Sequence, residues 1–222
     1  MRPDWSNFYG ELADNLGRFT PEALFEKIRS LAQGNNFFDY FHFGNAEHWH
    51  ERGPRLDPFS VMATFNRGQT DEHRARIAEL LAREFGVSEQ VPACYHGIPF
   101  VDPRRSIFDG DAQMWALYHA CLTGPQTPEF AEAYDNAKAV RGNALGNLSI
   151  ALFWARPAQF MAIDRISEPR IHELTGLDAP KDKCGGAEYA QFLAKLKASL
   201  KGRTFPQLAY AAWQAAHPGQ DC

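Results

Sequence analysis

The chain has 222 residues, of which 45% are hydrophobic and 13% aromatic, and its formal net charge is −4. This size and composition allow one large domain or two small ones with a hydrophobic core, and they exclude a disordered chain. The net negative charge excludes a polybasic nucleic-acid binder, and no apolar run approaches the length of a membrane span. The acidic, amphipathic N-terminus is neither a signal peptide nor a transit peptide.

The cysteines give a first indication of the compartment. They are widely spaced and include no Cys-x-x-Cys pair: Cys94, Cys121, Cys184 and Cys222. We therefore expect a reduced, cytoplasmic protein without a disulfide framework or a zinc knuckle. The sequence shows no histidine and acid that could serve as catalytic partners of a nucleophilic cysteine. We therefore expect Cys94 and Cys121 to be inert core thiols.

The first clear helix signals in chain order lie at two threonines. Thr20 is a favourable N-cap, and Pro21 after it suits the first helical position, so a helix is predicted to about Ala32. Thr70 starts a second helix, which has apolar residues on one face and ends at Gly86 as its C-cap.

The arginines of this second helix are Arg74, Arg76 and Arg83, and their spacing spreads them around the helix. Glutamates are interleaved among them, so we expect most of them to form a solvated surface. Between positions 67 and 170 nearly all positive charges are arginines, which suit bidentate contacts with phosphate or carboxylate. Pairing with nearby Asp and Glu residues is the alternative.

Helix signals also dominate the second half of the chain. The predicted helices there cover 111–123, 127–140, 148–154, 187–201 and 205–216. Only two segments, 57–65 and 95–101, could be short extended pieces, and neither alternates well. The sequence therefore predicts a mainly α domain with few or no short strands.

The segment 141–170 has the most informative sequence, RGNALGNLSIALFWARPAQFMAIDRISEPR. A turn rich in Gly and Asn at 142–147 precedes the apolar helix, and a second apolar run then leads to Asp164. This order predicts a helix–hairpin–helix-like pair near 138–174.

Two interpretations of the 142–147 turn remain open. Gly and Asn tolerate left-handed backbone conformations and are common between helices. Alternatively, free N–H groups at the start of the following helix, aided by its dipole, hold a phosphate of DNA. Under this second interpretation the contacts with the DNA backbone come from Arg67, Arg141, Gly142, Asn143, Gly146, Asn147, Arg156 and Arg165.

Asp164 also allows two interpretations, because a carboxylate beside a core needs a partner. In the first, Asp164 is structural, as a helix N-cap or as an ion-pair partner of Arg165 or Arg170. In the second, it faces a cleft and activates water there. The absence of a paired acid, histidine or metal favours the first interpretation.

Other candidate sites have simpler explanations. His42, His48 and His50 include a His-x-His pattern, but no fourth ligand is evident, so we expect neither a metal nor another cofactor. The pair Arg104-Arg105 could touch a phosphate, but a surface turn is the simpler interpretation.

Three stretches carry a resemblance to a known family. The first stretch, at 36–45, contains NFFDYF and FGN. The second contains TFNRG and DEHR at 64–74 and then GIP at 97–99. The third, at 152–164, contains LFWARP, Phe160 and Ile163-Asp164. In this order they resemble the N-terminal region of McrB-like restriction proteins, which are AAA-type NTPases of modified-DNA defence systems. The family's Asp is usually followed by Ser and an Arg-rich helix start, whereas this chain has Arg165-Ile166-Ser167.

The resemblance implies that this region engages DNA or regulates, while a downstream NTPase domain acts as the motor. The chain has no G-x-x-x-x-G-K-[ST] loop, so it is not that motor. We expect a single helical module over 1–222, with a possible subdivision into 1–105 and 106–222, at the start of a longer protein.

A second resemblance is to helix–hairpin–helix DNA glycosylases. Gly142 and Gly146, followed by Asp164, resemble in layout the hairpin that grips a phosphate and the carboxylate at a later helix. Leu148 stands where a bifunctional enzyme carries its catalytic lysine, so the resemblance implies no lyase activity.

The sequence thus predicts a cytoplasmic DNA-recognition or regulatory module of a restriction system, which contacts the DNA backbone without catalysis. Its expected partners are duplex DNA, an NTPase downstream or on another chain, and a nuclease subunit, and no membrane. One alternative is a monofunctional glycosylase-like hydrolase that uses Asp164. Another is a protein–protein interaction module that docks through the aromatic 36–49 segment.

Overall fold

A computed structural model of the chain describes residues 5–32, 56–66, 70–101 and 112–220. Within these ranges the chain forms ten helices and no strand, which confirms the predicted mainly α class. The helices are α1 (Trp5–Leu16), α2 (Pro21–Ala32), α3 (Pro58–Ala63), α4 (Asp71–Phe85), α5 (Ala112–Thr123), α6 (Pro128–Lys138), α7 (Leu145–Ala155), α8 (Ser167–Thr175), α9 (Gly186–Ser199) and α10 (Phe205–Ala216). No helix in this part of the chain is long and apolar enough to cross a membrane.

Threonine caps set the starts of four helices. The side chains of Thr20, Thr70, Thr127 and Thr204 each accept a hydrogen bond from the backbone N–H three residues later. Gly86 ends α4 with φ of 68°, a left-handed conformation that glycine adopts without strain. The predicted starts of α2, α4 and α6 and the predicted end of α4 are therefore confirmed.

Three parts of the backbone differ from the sequence prediction. The segment 57–65 contains α3 rather than an extended piece, because the Asp57 carboxylate accepts the Ser60 N–H at 3.1 Å and caps the helix. The segment 95–101 contains turns and no strand. The first element, α1, was not predicted at all.

The core is built around α7, which buries nine of its eleven residues. It packs against α1, α3 and α5. A helix that is apolar on all sides is typical of a central position. Trp154 is fully buried, and its indole N–H donates to the Pro99 carbonyl at 2.8 Å. One hydrophobic cluster extends from Trp5 in α1 to Ala209 in α10.

Helix α6 packs against α5 on one side and α9 on another, and α6 and α9 approach each other very closely. A Cβ on Gly186 would lie 2.5 Å from the Ala131 carbonyl oxygen, so only glycine fits there. The Asp135 carboxylate accepts the Gly186 N–H at 2.8 Å, and the Gln126 amide donates to the Ala190 carbonyl at 2.9 Å. These contacts set α6 and α9 antiparallel.

The cysteines correct one expectation. Cys121 and Cys184 are buried free thiols, and burial raises the pKa of the Cys184 thiol to about 11, so both thiols stay protonated and inert. Cys94, in contrast, is disulfide-bonded. The expectation of a reduced, inert thiol is therefore wrong at Cys94.

Candidate functional site

The α6–α7 turn, residues 141–147, lies at the surface of the molecule. Arg141 and Gly142 are exposed, and a Cβ on Gly142 would meet nothing within 4 Å. Gly142 has φ of 96°, which glycine adopts far more readily than other residues. Helix α7 begins at Leu145, three residues before its predicted start, so the second half of this turn belongs to the helix.

The first turn of α7 carries backbone N–H groups that have no internal acceptor. The N-cap residue is Ala144, whose side chain cannot accept a hydrogen bond. The first N–H that bonds back is that of Leu148, to the Ala144 carbonyl at 3.1 Å. Within the described residues, the N–H groups of Leu145, Gly146 and Asn147 have no hydrogen-bond acceptor.

The other helices whose starts are described differ from α7 in this respect. Threonine or aspartate caps accept N–H groups at the starts of α2, α3, α4, α6 and α10. At α8 the acceptor is Asp164, and at α9 it is Asp135 from α6. Among the helix starts that the structure describes with their preceding residues, only that of α7 lacks a side-chain acceptor.

The two asparagines of the α6–α7 turn hold its shape. Asn143 is buried, and its amide donates to the Ala137 carbonyl at 2.9 Å. Asn147 is half-buried, and its amide donates to the Gly142 carbonyl at 3.3 Å. The side chains of both predicted contact residues thus have an internal structural role, and of the two only Asn147 has a backbone N–H without an acceptor in the described residues.

Ser149 connects the α7 start to the loop before α8, and the sequence analysis missed it. Its hydroxyl donates to the Gly146 carbonyl at 3.0 Å and accepts the Ile163 N–H at 2.9 Å. Arg165 follows in the same loop, is exposed, and has no ion-pair partner in the described part of the chain. The structure therefore places the Arg165 loop beside the α7 start.

Arg156 lies at the other end of α7, which is about 16 Å long. Its guanidinium pairs with Asp14 and donates to the Gly10 carbonyl at 3.3 Å, so it fastens α7 to α1. The structure therefore does not bring Arg156 together with Arg141.

Several predicted features lie outside the described residues. They are Arg67, Arg104-Arg105, the aromatic 36–49 segment, and the histidines His42, His48 and His50. Among the residues that the structure does describe, no group of three or more His, Cys, Asp or Glu side chains could hold a metal ion.

Asp164 caps α8. Its carboxylate accepts the N–H groups of Ile166 at 2.9 Å and Ser167 at 2.7 Å, and the Ser167 hydroxyl accepts the Asp164 N–H at 2.9 Å. Arg170 pairs with Glu173 at 2.6 Å instead of with Asp164. Asp164 is thus a helix cap, and it also lines the cavity described next.

A cavity of about 400 Å³ opens beside Asp164, and we call it the α4–α10 cavity. Its lining includes Arg74, Tyr95, Phe100, Arg165, Ile166 and Trp213. Gly97 lets the 95–101 segment close one side, because a Cβ there would lie 2.6 Å from the Tyr210 Cα of α10. Gly97 also has φ of 79°.

Arg74 forms the floor of this cavity and is only 5% exposed. Its guanidinium donates to the Phe65 carbonyl at 3.0 Å and to the Asn66 amide oxygen at 2.7 Å. Tyr9 donates to the same amide oxygen at 2.6 Å, and burial raises the pKa of this tyrosine to about 12. The guanidinium also lies over the Tyr95 ring, 4.4 Å from its centroid.

The expectation of a solvated arginine surface on α4 is correct for Arg76 and Arg83, which are exposed, and wrong for Arg74. The sequence did contain the signal for this difference. Arg74 precedes Ile77 and Leu81 by three and seven residues, so it lies on the apolar face of α4.

Aromatic rings form one wall and part of the rim of the α4–α10 cavity. Trp213 stacks with His96 at a centroid distance of 3.7 Å and with His217 at 4.8 Å. At the rim, Phe100 is 55% and Ile166 is 37% exposed, and they are the only exposed large hydrophobic residues in the described ranges. An exposed apolar rim beside an enclosed aromatic wall is typical of a ligand site.

The fold and these two sites define an all-helical domain, as far as the structure describes it, with a surface helix start and an adjoining cavity. Residues 5–215 match a family model described as a domain of unknown function, DUF8425, and the chain belongs to this family. No curated protein and no solved structure matches the chain significantly.

Proposed function

We propose that this protein is a DNA-recognition or regulatory module of a modified-DNA restriction system. It contacts the DNA backbone through the α6–α7 turn and does not catalyse a reaction. The observation that carries the proposal is the α7 start, where three successive backbone N–H groups have no internal acceptor and Arg141 is exposed beside them. A helix N-terminus with free N–H groups and a partial positive charge binds phosphate well.

The neighbouring charges support a local contact. Arg141 and Arg165 are both exposed and have no ion-pair partner in the described part of the chain, so each is available to a phosphate. The net charge of −4 provides no long-range attraction to DNA, and binding therefore depends on this small positive area.

The placement in a restriction system rests on the resemblance to the N-terminal region of McrB-like proteins. A separate or downstream NTPase and a nuclease subunit belong to the same proposal as partners. The capping role of Asp164 supports a module that binds without catalysis, since this carboxylate has a structural role: its Oδ1 accepts two N–H groups at the α8 start.

The test is a binding titration of the 222-residue protein with fluorescently labelled duplex DNA at several salt concentrations. Affinity should fall steeply with salt, and Arg141→Ala should weaken binding to all sequences alike and reduce the salt slope by about 1. Arg203→Ala is the matched control, because Arg203 is also exposed. Arg203 follows the C-terminal end of α9, and the start of α9, which packs on α6, lies about 20 Å away at the other end of that helix. Undetectable binding to duplex, methylated and single-stranded DNA at low salt would contradict the proposal.

A further inference from the structure

We propose that the α4–α10 cavity binds a planar heteroaromatic ring that carries an anionic group, as a nucleoside monophosphate does. This inference rests on the proposed function where the ring belongs to a DNA strand, and it goes beyond that function where the nucleotide is free. It is carried by a buried hydroxyl without a partner, an aromatic wall and an unpaired arginine at the rim.

The buried hydroxyl is that of Tyr95. The Tyr95 side chain lines the cavity and is 2% exposed, yet its oxygen has no hydrogen-bond partner in the described part of the molecule. A buried polar group without a partner costs stability, and a hydrogen bond with a ligand would remove that cost. Burial raises the pKa of this phenol above its usual value, so the hydroxyl keeps its proton and remains a hydrogen-bond donor.

The charges in the deep part of the cavity favour a neutral ring there. Arg74 already donates to Phe65 and Asn66, and its remaining amino group lies 3.9 Å from the Asp71 carboxylate, beyond hydrogen-bond distance. The His96 ring nitrogen also lies 3.9 Å from Asp71. The Asp71 carboxylate, which is exposed, offsets the positive charge of the buried Arg74, and a neutral ring with donor and acceptor edges suits both groups.

The rim of the cavity suits stacking and an anionic group. Phe100 presents an exposed ring, and Ile166 extends the apolar surface beside it. Arg165 lines the same rim without an ion-pair partner within the described ranges, so it is available to a phosphate. The Asp71 and Asp164 carboxylates line the cavity as well, so an anionic group there depends on Arg165 for its binding.

The size of the cavity agrees with this ligand class. A volume of about 400 Å³ lies within the range of sites that hold small organic ligands, about 300–1,000 Å³. Aromatic side chains in such sites stack on bases of any sequence, since every base has a π face.

The experiment is isothermal titration calorimetry of the 222-residue protein with the four deoxynucleoside monophosphates, their nucleosides and inorganic phosphate. We expect at least one monophosphate to bind, the matching nucleoside to bind more weakly, and inorganic phosphate not to bind. Arg165→Ala should remove the difference between monophosphate and nucleoside. The inference is overturned if no monophosphate binds and if the cavity variants described below leave the binding of single-stranded DNA unchanged.

Two variants locate the binding. Tyr95→Phe should weaken it about tenfold, which is the loss of one hydrogen bond to a buried group. Tyr134→Phe is the matched control, because this tyrosine is also buried with an unpartnered hydroxyl but does not line the cavity. Phe100→Ala changes an exposed rim residue and should weaken binding about fivefold or more through lost stacking. If Tyr95→Phe and Tyr134→Phe both bind the ligand as tightly as the unchanged protein does, the ligand lies elsewhere and the inference is overturned.

A labelled single-stranded oligonucleotide separates the two sources of the ring. If Tyr95→Phe weakens its binding, the ring is a base within a strand, and if only monophosphate binding weakens, the ligand is a free nucleotide. The proposed function fails or holds separately, because it is measured by the effect of Arg141→Ala on duplex DNA.

Discussion

Asp57 is a fully buried carboxylate at the start of α3. Its two oxygens accept hydrogen bonds from the backbone N–H of Ser60 at 3.1 Å and from the Ser60 hydroxyl at 2.6 Å. Burial raises the pKa of this carboxyl from 3.8 to about 6, because the loss of solvation outweighs these hydrogen bonds. The folded protein therefore keeps the Asp57 proton to a higher pH than the unfolded chain does.

This pKa predicts a pH dependence of stability. Between 3.8 and about 6 the folded protein holds a proton at Asp57 that the unfolded chain has lost, so the free energy of unfolding falls as pH rises through this window. The contribution of this group amounts to about 3 kcal/mol between the two limits. Urea unfolding at pH 4 and pH 7 measures it, and Asp57→Asn should reduce the difference. Parallel pH profiles of both proteins would contradict the assignment.

Asp164 provides a second prediction at the scale of single residues. Asp164→Ala removes the acceptor of two N–H groups at the α8 start and should lower the free energy of unfolding by about 1 kcal/mol, whereas Asp164→Asn keeps an acceptor and should cost less. Urea unfolding gives both values. If the alanine variant is as stable as the unchanged protein, the capping role is wrong. Base release that Asp164→Asn abolishes would instead support the glycosylase alternative.

At the scale of elements, the helix starts were predictable where the signal is local. A threonine before a helix, often followed by proline, satisfies a free N–H group within a few residues, so α2, α4 and α6 begin where the sequence indicated. Helix α3 carries the same kind of local signal, because Asp57 is its N-cap and Pro58 follows at the first helical position, and the sequence analysis missed it. Distant parts of the chain also hold this start, since the Trp115 indole N–H donates to the Leu56 carbonyl at 3.1 Å.

The two candidate sites differ in the same respect. The Gly- and Asn-rich turn before α7 is contiguous in sequence, so its exposed position next to a helix start could be predicted. The α4–α10 cavity joins Arg74, Tyr95, Arg165 and Trp213, which lie far apart in the chain. No sequence pattern brings them together, and only the apolar register of α4 indicated that Arg74 is buried.

Gly97 yields a prediction about how two elements approach each other. Gly97→Ala should be strongly destabilising, because a Cβ would lie 2.6 Å from the Tyr210 Cα and the residue has φ of 79°. Gly202→Ala is the control, since Gly202 has φ of 91° but a Cβ there would meet nothing within 4 Å. The difference between the two variants in urea unfolding isolates the clash, and equal losses of stability would contradict the close packing of the 95–101 segment on α10.

At the scale of the whole molecule, the buried helix α7 is the element that carries the proposed DNA-contact site at its start. Nine of its residues are buried, and Arg156 fastens its C-terminal end to α1. The N–H groups at its other end are therefore held in fixed positions at the surface, and a site on a rigid element needs little ordering when it binds. The net charge of −4 leaves this positive area to act locally.

The most direct test of this account is an NMR titration of the 15N-labelled protein with short duplex DNA. The amide resonances of Leu145, Gly146 and Asn147 should shift strongly as DNA is added. The Gly186 amide should not shift, because it already donates to Asp135. If DNA binds and the three α7 amides stay unchanged, the α7 start does not hold the phosphate and the account is contradicted.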